Sequence, residues 1–115
     1  MRKITERAAV QSLAALAQDT RLAIYRLLVQ QGPEGLPVGA IAGRLKLANA
    51  TLSFHLKELA GADLIGARQD GRFIYYSANY PAMNGLVDYL TENCCQGKVC
   101  DVACAPVLKR TRRSA

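Results

Sequence analysis

Apolar positions recur at three- and four-residue intervals through the first half of the chain, and then the period shortens. Val10, Leu13, Leu16 and Ala17 form one stripe and predict a first helix. Asp19 and Thr20 offer an N-cap for a second helix over 21–30, whose inner stripe is Ile24, Leu27 and Leu28. Gly32-Pro33-Glu34-Gly35 ends it in a loop. Pro37 suits the first turn of a third helix, where a missing N–H costs nothing, and Ile41 and Leu45 face inward. Lys46, Leu47 and Ala48 make a short connection. Asn49 is a plausible cap for a fourth helix that buries Leu52, Leu56 and Leu59, with Gly61 as its stop.

Beyond Gly61 two short, partly alternating runs, 64–69 and 72–77, are joined through Asp70-Gly71, a strong hairpin signal. The second run contains Phe73-Ile74-Tyr75-Tyr76, the aromatic and β-branched types that strands favour. Pro81 opens a fifth helix with the stripe Met83, Leu86, Val87 and Leu90, running out near Asn93 to Cys95. The predicted fold is mainly α with a β-hairpin wing (α+β), in the order α-α-α-α-β-β-α: a winged helix-turn-helix. The domain is expected over 1–95, followed by a cysteine-containing basic tail over 96–115 that ends in Lys109-Arg110-Thr111-Arg112-Arg113.

Composition narrows the function. Half of the 115 residues are hydrophobic, enough for one compact core. Fifteen Lys and Arg against nine Asp and Glu give a net charge of +6, which suits a polyanionic partner, nucleic acid first. No apolar run approaches the ~20 residues of a membrane span, and no apolar block of signal-peptide type follows the first seven residues. A cytoplasmic location without membrane contact is therefore expected. In that reducing compartment cysteines serve more often as ligands or redox groups than as disulfides. All four, Cys94, Cys95, Cys100 and Cys104, fall within one short stretch.

The third and fourth helices, joined by a tight turn, read as a helix-turn-helix whose second member can enter the major groove. Asn49, Thr51, Ser53, Phe54 and His55 are its candidate readers, with Lys57 available for phosphate. Arg68 and Arg72 flank the wing turn and could lie along the backbone or in the minor groove. Such folds also serve as protein-interaction modules, and that alternative stays open.

Three motifs in order carry a family resemblance that spans about residues 8–90. The run Ala14 to Ile24 resembles the opening signature of the ArsR/SmtB metalloregulatory repressors. Thr51-Leu52-Ser53-Phe54-His55-Leu56-Lys57-Glu58-Leu59 is similar to that family's recognition helix, and Arg68 to Tyr76 to its wing. The resemblance implies a homodimer held by the first and last helices, operator binding by the apo protein, and release when an inducer binds. It implies no enzyme: a thiol reductase needs a nucleophilic cysteine in an anion-binding loop, a setting no cysteine here has. No organic cofactor is expected.

Inducer sites vary within the family. The third helix here has Val38-Gly39-Ala40-Ile41-Ala42 where some members carry a Cys-x-Cys pair. The last helix has Asp88 and Glu92 but no histidine, which leaves a zinc site there without support. The cysteine cluster resembles that of arsenic repressors with a vicinal pair at the end of the last helix and a third cysteine in the tail. Arsenic(III), and also antimony(III), takes three soft thiolates in a pyramid. Cys94, Cys95 and Cys100 are the expected set, with Cys104 spare or alternative. Two other uses remain open: a tetrahedral zinc, cadmium or lead site, and a redox switch. The redox switch is opposed by the helix C-terminal dipole, which disfavours a thiolate at Cys94 or Cys95.

Overall fold

The computed structural model describes residues 4–97. Its elements are α1 (Glu6–Leu16), α2 (Asp19–Gln31), β1 (Leu36–Pro37), α3 (Val38–Leu45), α4 (Asn49–Gly61), β2 (Ile65–Asp70), β3 (Phe73–Ala78) and α5 (Tyr80–Leu90), then a short 3-10 turn (Cys94–Gly97). The predicted helix and hairpin order is present. One strand escaped prediction: Leu36 and Pro37 pair with Tyr76 and Tyr75, so the sheet has three antiparallel strands in the order β1-β3-β2.

Local chemistry sets the boundaries, in places differently from expectation. Thr5 caps α1 by accepting from the Ala8 N–H at 3.0 Å. Gln18, not Asp19 or Thr20, caps α2, its side-chain oxygen accepting from the Arg21 N–H at 2.8 Å. Asp19 is then the acidic residue of the first turn, where it suits the helix dipole. Pro37 caps α3 from outside the helix, and Ala48 takes the cap position expected of Asn49, without a side-chain bond. The helix α4 runs through Gly61, and the left-handed residue that ends it is Asp63, at φ 64°. Asn79 starts α5 by accepting from the Ala82 N–H, and its amide donates to the Asp63 carbonyl at 2.9 Å, tying α5 to the end of α4. Asp70 pairs with Phe73, which makes Gly71–Arg72 the two-residue hairpin loop. Gly71, at φ 65°, supplies the positive φ that a tight hairpin needs.

The core lies between α2, α3, α4 and the inner end of the sheet. Ile24, Leu28, Ile41, Leu52, Leu56, Leu59 and Leu64 are fully buried there. Each such burial contributes about 1.5–3 kcal/mol relative to exposure. Inward stripes predicted for α2, α3 and α4 thus match the structure, but that of α1 does not. Its buried face is Ala9, Ser12 and Ala15, while Val10 and Leu13 are exposed. Small residues let α1 approach its neighbours closely, and the larger apolar side chains are turned away. The helix α5 behaves similarly: Gly85 and Leu86 are buried, whereas Val87 and Leu90 are exposed. A Cβ at Gly85 would stand 3.1 Å from the Ile4 Cγ2, so the chain leading into α1 rests on a notch in α5.

Candidate nucleic-acid interface

Helices α3 and α4 are joined by Lys46, Leu47 and Ala48. Lys46 adopts φ 57° and ψ 51°, a left-handed turn that reverses the chain at once, and the Leu47 N–H bonds the Ala42 carbonyl at 3.0 Å. This is the tight turn of a helix-turn-helix. One face of α4, Leu52, His55, Leu56 and Leu59, is buried in the core. Asn49, Ala50, Thr51, Ser53, Phe54 and Lys57 are all exposed. Four of the readers expected from sequence, Asn49, Thr51, Ser53 and Phe54, therefore stand exposed at the N-terminal half of α4, with Lys57 exposed just beyond them.

His55 is different. It is only 9 % exposed and points inward, so the structure removes it from the reading face where the sequence placed it. A guanidinium nitrogen of Arg21 stands 3.4 Å from its Nδ1. Arginine can only donate, so Nδ1 is the accepting side of this contact. The Nε of Arg21 also donates to the Ala15 carbonyl at 2.7 Å, satisfying a last-turn acceptor of α1. Arg21 thereby ties the end of α1 to the middle of α4. The His55 ring in turn meets the Phe54 ring edge-on, with centroids 5.3 Å apart and planes at 65°. Its part is to orient α4 and the exposed aromatic beside it.

The wing divides its two arginines. The guanidinium of Arg68 donates to the Glu34 carbonyl at 2.8 Å, reaches Asp70 at 3.5 Å and lies 4.9 Å over the Tyr75 ring. These contacts fasten the wing to the loop before β1, while the Arg68 side chain stays 53% exposed. Arg72 sits in the exposed hairpin loop, where a phosphate can approach it. Sequence reasoning missed Ala50, Arg44 and Lys46. The last two are exposed cations at the end of α3 and in the turn that follows it, and the signal for them was the position of that turn.

At the far end of α5 the Sγ atoms of Cys94 and Cys95 lie 3.6 Å apart. Two sulfurs can share one ion when they are closer than twice the bond length, about 4.6 Å for ~2.3 Å bonds. The hydrogen bond to Cys94 pushes the Cys95 thiol above its ordinary value, helped by desolvation and by the charge of Cys94. Cys95 and Gln96 adopt φ 58° and 60°, and Asn93 59°, so the backbone turns left-handed here at non-glycine positions. Cys100 and Cys104 lie outside the described residues, as does the basic run at 109–113. Among the described residues no three His, Cys, Asp or Glu side chains converge as a metal site. None of the described helices is long and apolar enough to cross a membrane.

A family model described as a helix-turn-helix domain matches residues 16–65. The nodulation protein NolR of Rhizobium meliloti is 35% identical over 80 residues, 70% of this chain and 63% of that protein, so the chain spans less than two thirds of that relative. The arsenical resistance operon repressor of Bacillus subtilis is 35% identical over 85 residues, covering 74% of this chain and 77% of that one. Among solved structures, an ArsR-like transcriptional regulator from Rhodococcus sp. RHA1 superposes with a TM-score of 0.70 at 21% identity, over 95% of this chain and 93% of that one. The homodimeric winged helix-turn-helix DNA-binding domain Mb0332 from Mycobacterium bovis, a possible ArsR-family regulator, gives 0.60 at 27% identity, over 85% and 96%.

Proposed function

The chain belongs to the ArsR family of winged helix-turn-helix, DNA-binding transcriptional regulators, not enzymes, and from that premise we propose a homodimeric repressor released from its operator by trivalent arsenic. The observation that carries the inducer is the vicinal thiol pair, 3.6 Å apart where α5 ends. Soft thiolates favour soft ions, and a third sulfur from Cys100 or Cys104 would complete a pyramid for arsenic(III) or antimony(III). The exposed apolar residues Val10 and Leu13 on α1, and Val87 and Leu90 on α5, support dimerisation through these two helices. An isologous pairing would bury them twice over.

In this reading the apo dimer presents two α4 helices to half-sites about 34 Å apart. Thr51, Ser53, Phe54 and Asn49 read bases, while Lys57 and Arg72 hold phosphates. Closing three thiolates around one ion draws the tail against the end of α5 and alters the angle between protomers. Couplings of this kind are worth ~1–3 kcal/mol, or about 5–150-fold in DNA affinity. A reducing location such as the cytoplasm would keep the thiols ready.

The test is binding to a fluorescent duplex carrying the promoter upstream of the chain's own gene, with arsenite or zinc under reducing conditions. Release by arsenite and not by zinc, abolished by Cys94→Ser, is the expected result. Tight binding that ignores arsenite, or release that survives Cys94→Ser, overturns the inducer assignment.

A further inference from the structure

The turn of 3.6 residues places Ala50, Phe54, Lys57 and Gly61 diametrically opposite the buried stripe of α4. Ala50 and Phe54, four residues apart, thus form the outermost point of the helix that enters the groove. Both are exposed, Phe54 to 56 %. An aromatic ring at the pole of a surface helix is costly in water and cannot pair with phosphate. Thr51, Ser53 and Lys57 flank it on α4, and Arg44 and Lys46 are exposed on the preceding helix and turn. An apolar point inside a polar, cationic rim matches the major groove, whose one apolar feature is the 5-methyl group of thymine.

We propose that Ala50 and Phe54 are the specificity-determining contact of this regulator, an apolar pair that recognises thymine methyl groups at the centre of each half-site. The proposal rests on the operator-binding reading above. One edge of the ring rests against its neighbour His55, itself held by Arg21, with centroids 5.3 Å apart. Phe has only two side-chain torsions, so fixing it on binding costs less than fixing a long polar side chain. The polar readers on either side then set register, and the apolar pair selects T·A over C·G, a choice that hydrogen bonding by Thr51 or Ser53 makes only weakly.

The test removes the methyl groups without touching the pairing. A duplex is selected by the full-length protein from a randomised pool and prepared with thymine or with deoxyuridine. Affinity of wild type, Phe54→Ala and Phe54→Leu is measured for both. Wild type should lose about fourfold per contacted methyl, the factor for transferring one such group from water, hence roughly 15-fold over two half-sites. Phe54→Ala should bind the thymine duplex more weakly and be nearly indifferent to deoxyuridine, while Phe54→Leu keeps part of the sensitivity. Equal affinity of wild type for the two duplexes overturns the proposal, as does an undiminished methyl effect in Phe54→Ala. Failure to enrich any sequence overturns the operator-binding reading, and this inference with it. Phe54 contributes little to the core, so unchanged thermal unfolding separates lost recognition from lost fold.

Discussion

Tyr25 lies in α2 at 6 % exposure, and its hydroxyl has no hydrogen-bond partner among the described residues. The nearby Tyr80 hydroxyl is committed to the carbonyls of Val29 and Leu28, at 2.9 and 3.3 Å. A buried, unsatisfied hydroxyl costs about 1–3 kcal/mol of folding free energy. Tyr25→Phe removes it and leaves the ring. The vacated space, roughly 15 Å3, costs about 0.4 kcal/mol at ~24 cal/mol per Å3. The variant should therefore be more stable by about 1–2 kcal/mol, a gain of several degrees in Tm. Urea denaturation at one fixed protein concentration measures it as a raised midpoint with unchanged slope. A second arm uses alkali. Desolvation, with a smaller contribution from Tyr80, raises the Tyr25 hydroxyl above its ordinary value of 10.0. The unfolded chain then sheds this proton first. Stability linked to it is complete below about pH 10 and is lost as the pH climbs through the higher folded value. Tyr25→Phe should abolish that share of the loss. A variant less stable than wild type by 1 kcal/mol or more would refute the reasoning and require a partner for the hydroxyl.

Gly35 adopts φ 77°, and a Cβ there would collide with the Tyr76 carbonyl. Gly35→Ala should destabilise by at least ~2 kcal/mol, read by urea denaturation. Val87→Asp combined with Leu90→Asp should give a monomer in sedimentation velocity and lower operator affinity by about 100-fold or more, since paired half-site binding is lost. Cys95 should react with iodoacetamide more slowly than an ordinary exposed thiol, and faster as pH rises. Cys94→Ser should change that rate, because the bond to Cys94 is the leading cause of the raised value; peptide mass mapping follows it. Arsenite enters as As(OH)3 and each thiol proton leaves in a water molecule, so its affinity should not rise with pH, whereas binding of a divalent cation such as cadmium, which releases thiol protons, should.

The interior was legible in the chain because Leu52, Leu56, Leu59, Ile24 and Leu28 repeat at helical spacing and have one place to go. The faces of α1 were not, because Val10 and Leu13 form as good a stripe as Ala9, Ser12 and Ala15, and periodicity cannot say which one a monomer buries. His55 was misread for a related reason. Its neighbours Ser53 and Lys57 are exposed, but it shares the inward arc of Leu52, Leu56 and Leu59, a geometric signal that its polarity masked. The tie from Arg68 to the wing's base was not legible because its acceptor, the Glu34 carbonyl, is distant in sequence and belongs to a strand connection too short to show in any pattern. Caps moved by a residue or two because Gln18 can reach the same N–H that a shorter capping side chain would take. The cysteine pair was found from sequence, and the left-handed turn that brings the two sulfurs side by side was not.

The fastening of the wing has a kinematic consequence. Two bridges, the β1–β3 pairing and the bond from Arg68 to the Glu34 carbonyl, close the hairpin onto the loop that feeds α3. Arg21 does the same between α1 and α4. These ties link the elements that carry α4 to the wing, so the proposed DNA-facing arm is cross-braced. On the proposed reading, a disturbance at the end of α5 would then move this arm about the α1–α5 base rather than bend the wing. A swing of about 10° at a radius of roughly 20 Å carries the tip about 3.5 Å, close to one base-pair step. In a stiff lever a displacement too small to remodel the fold is large enough to put a helix out of register with its groove.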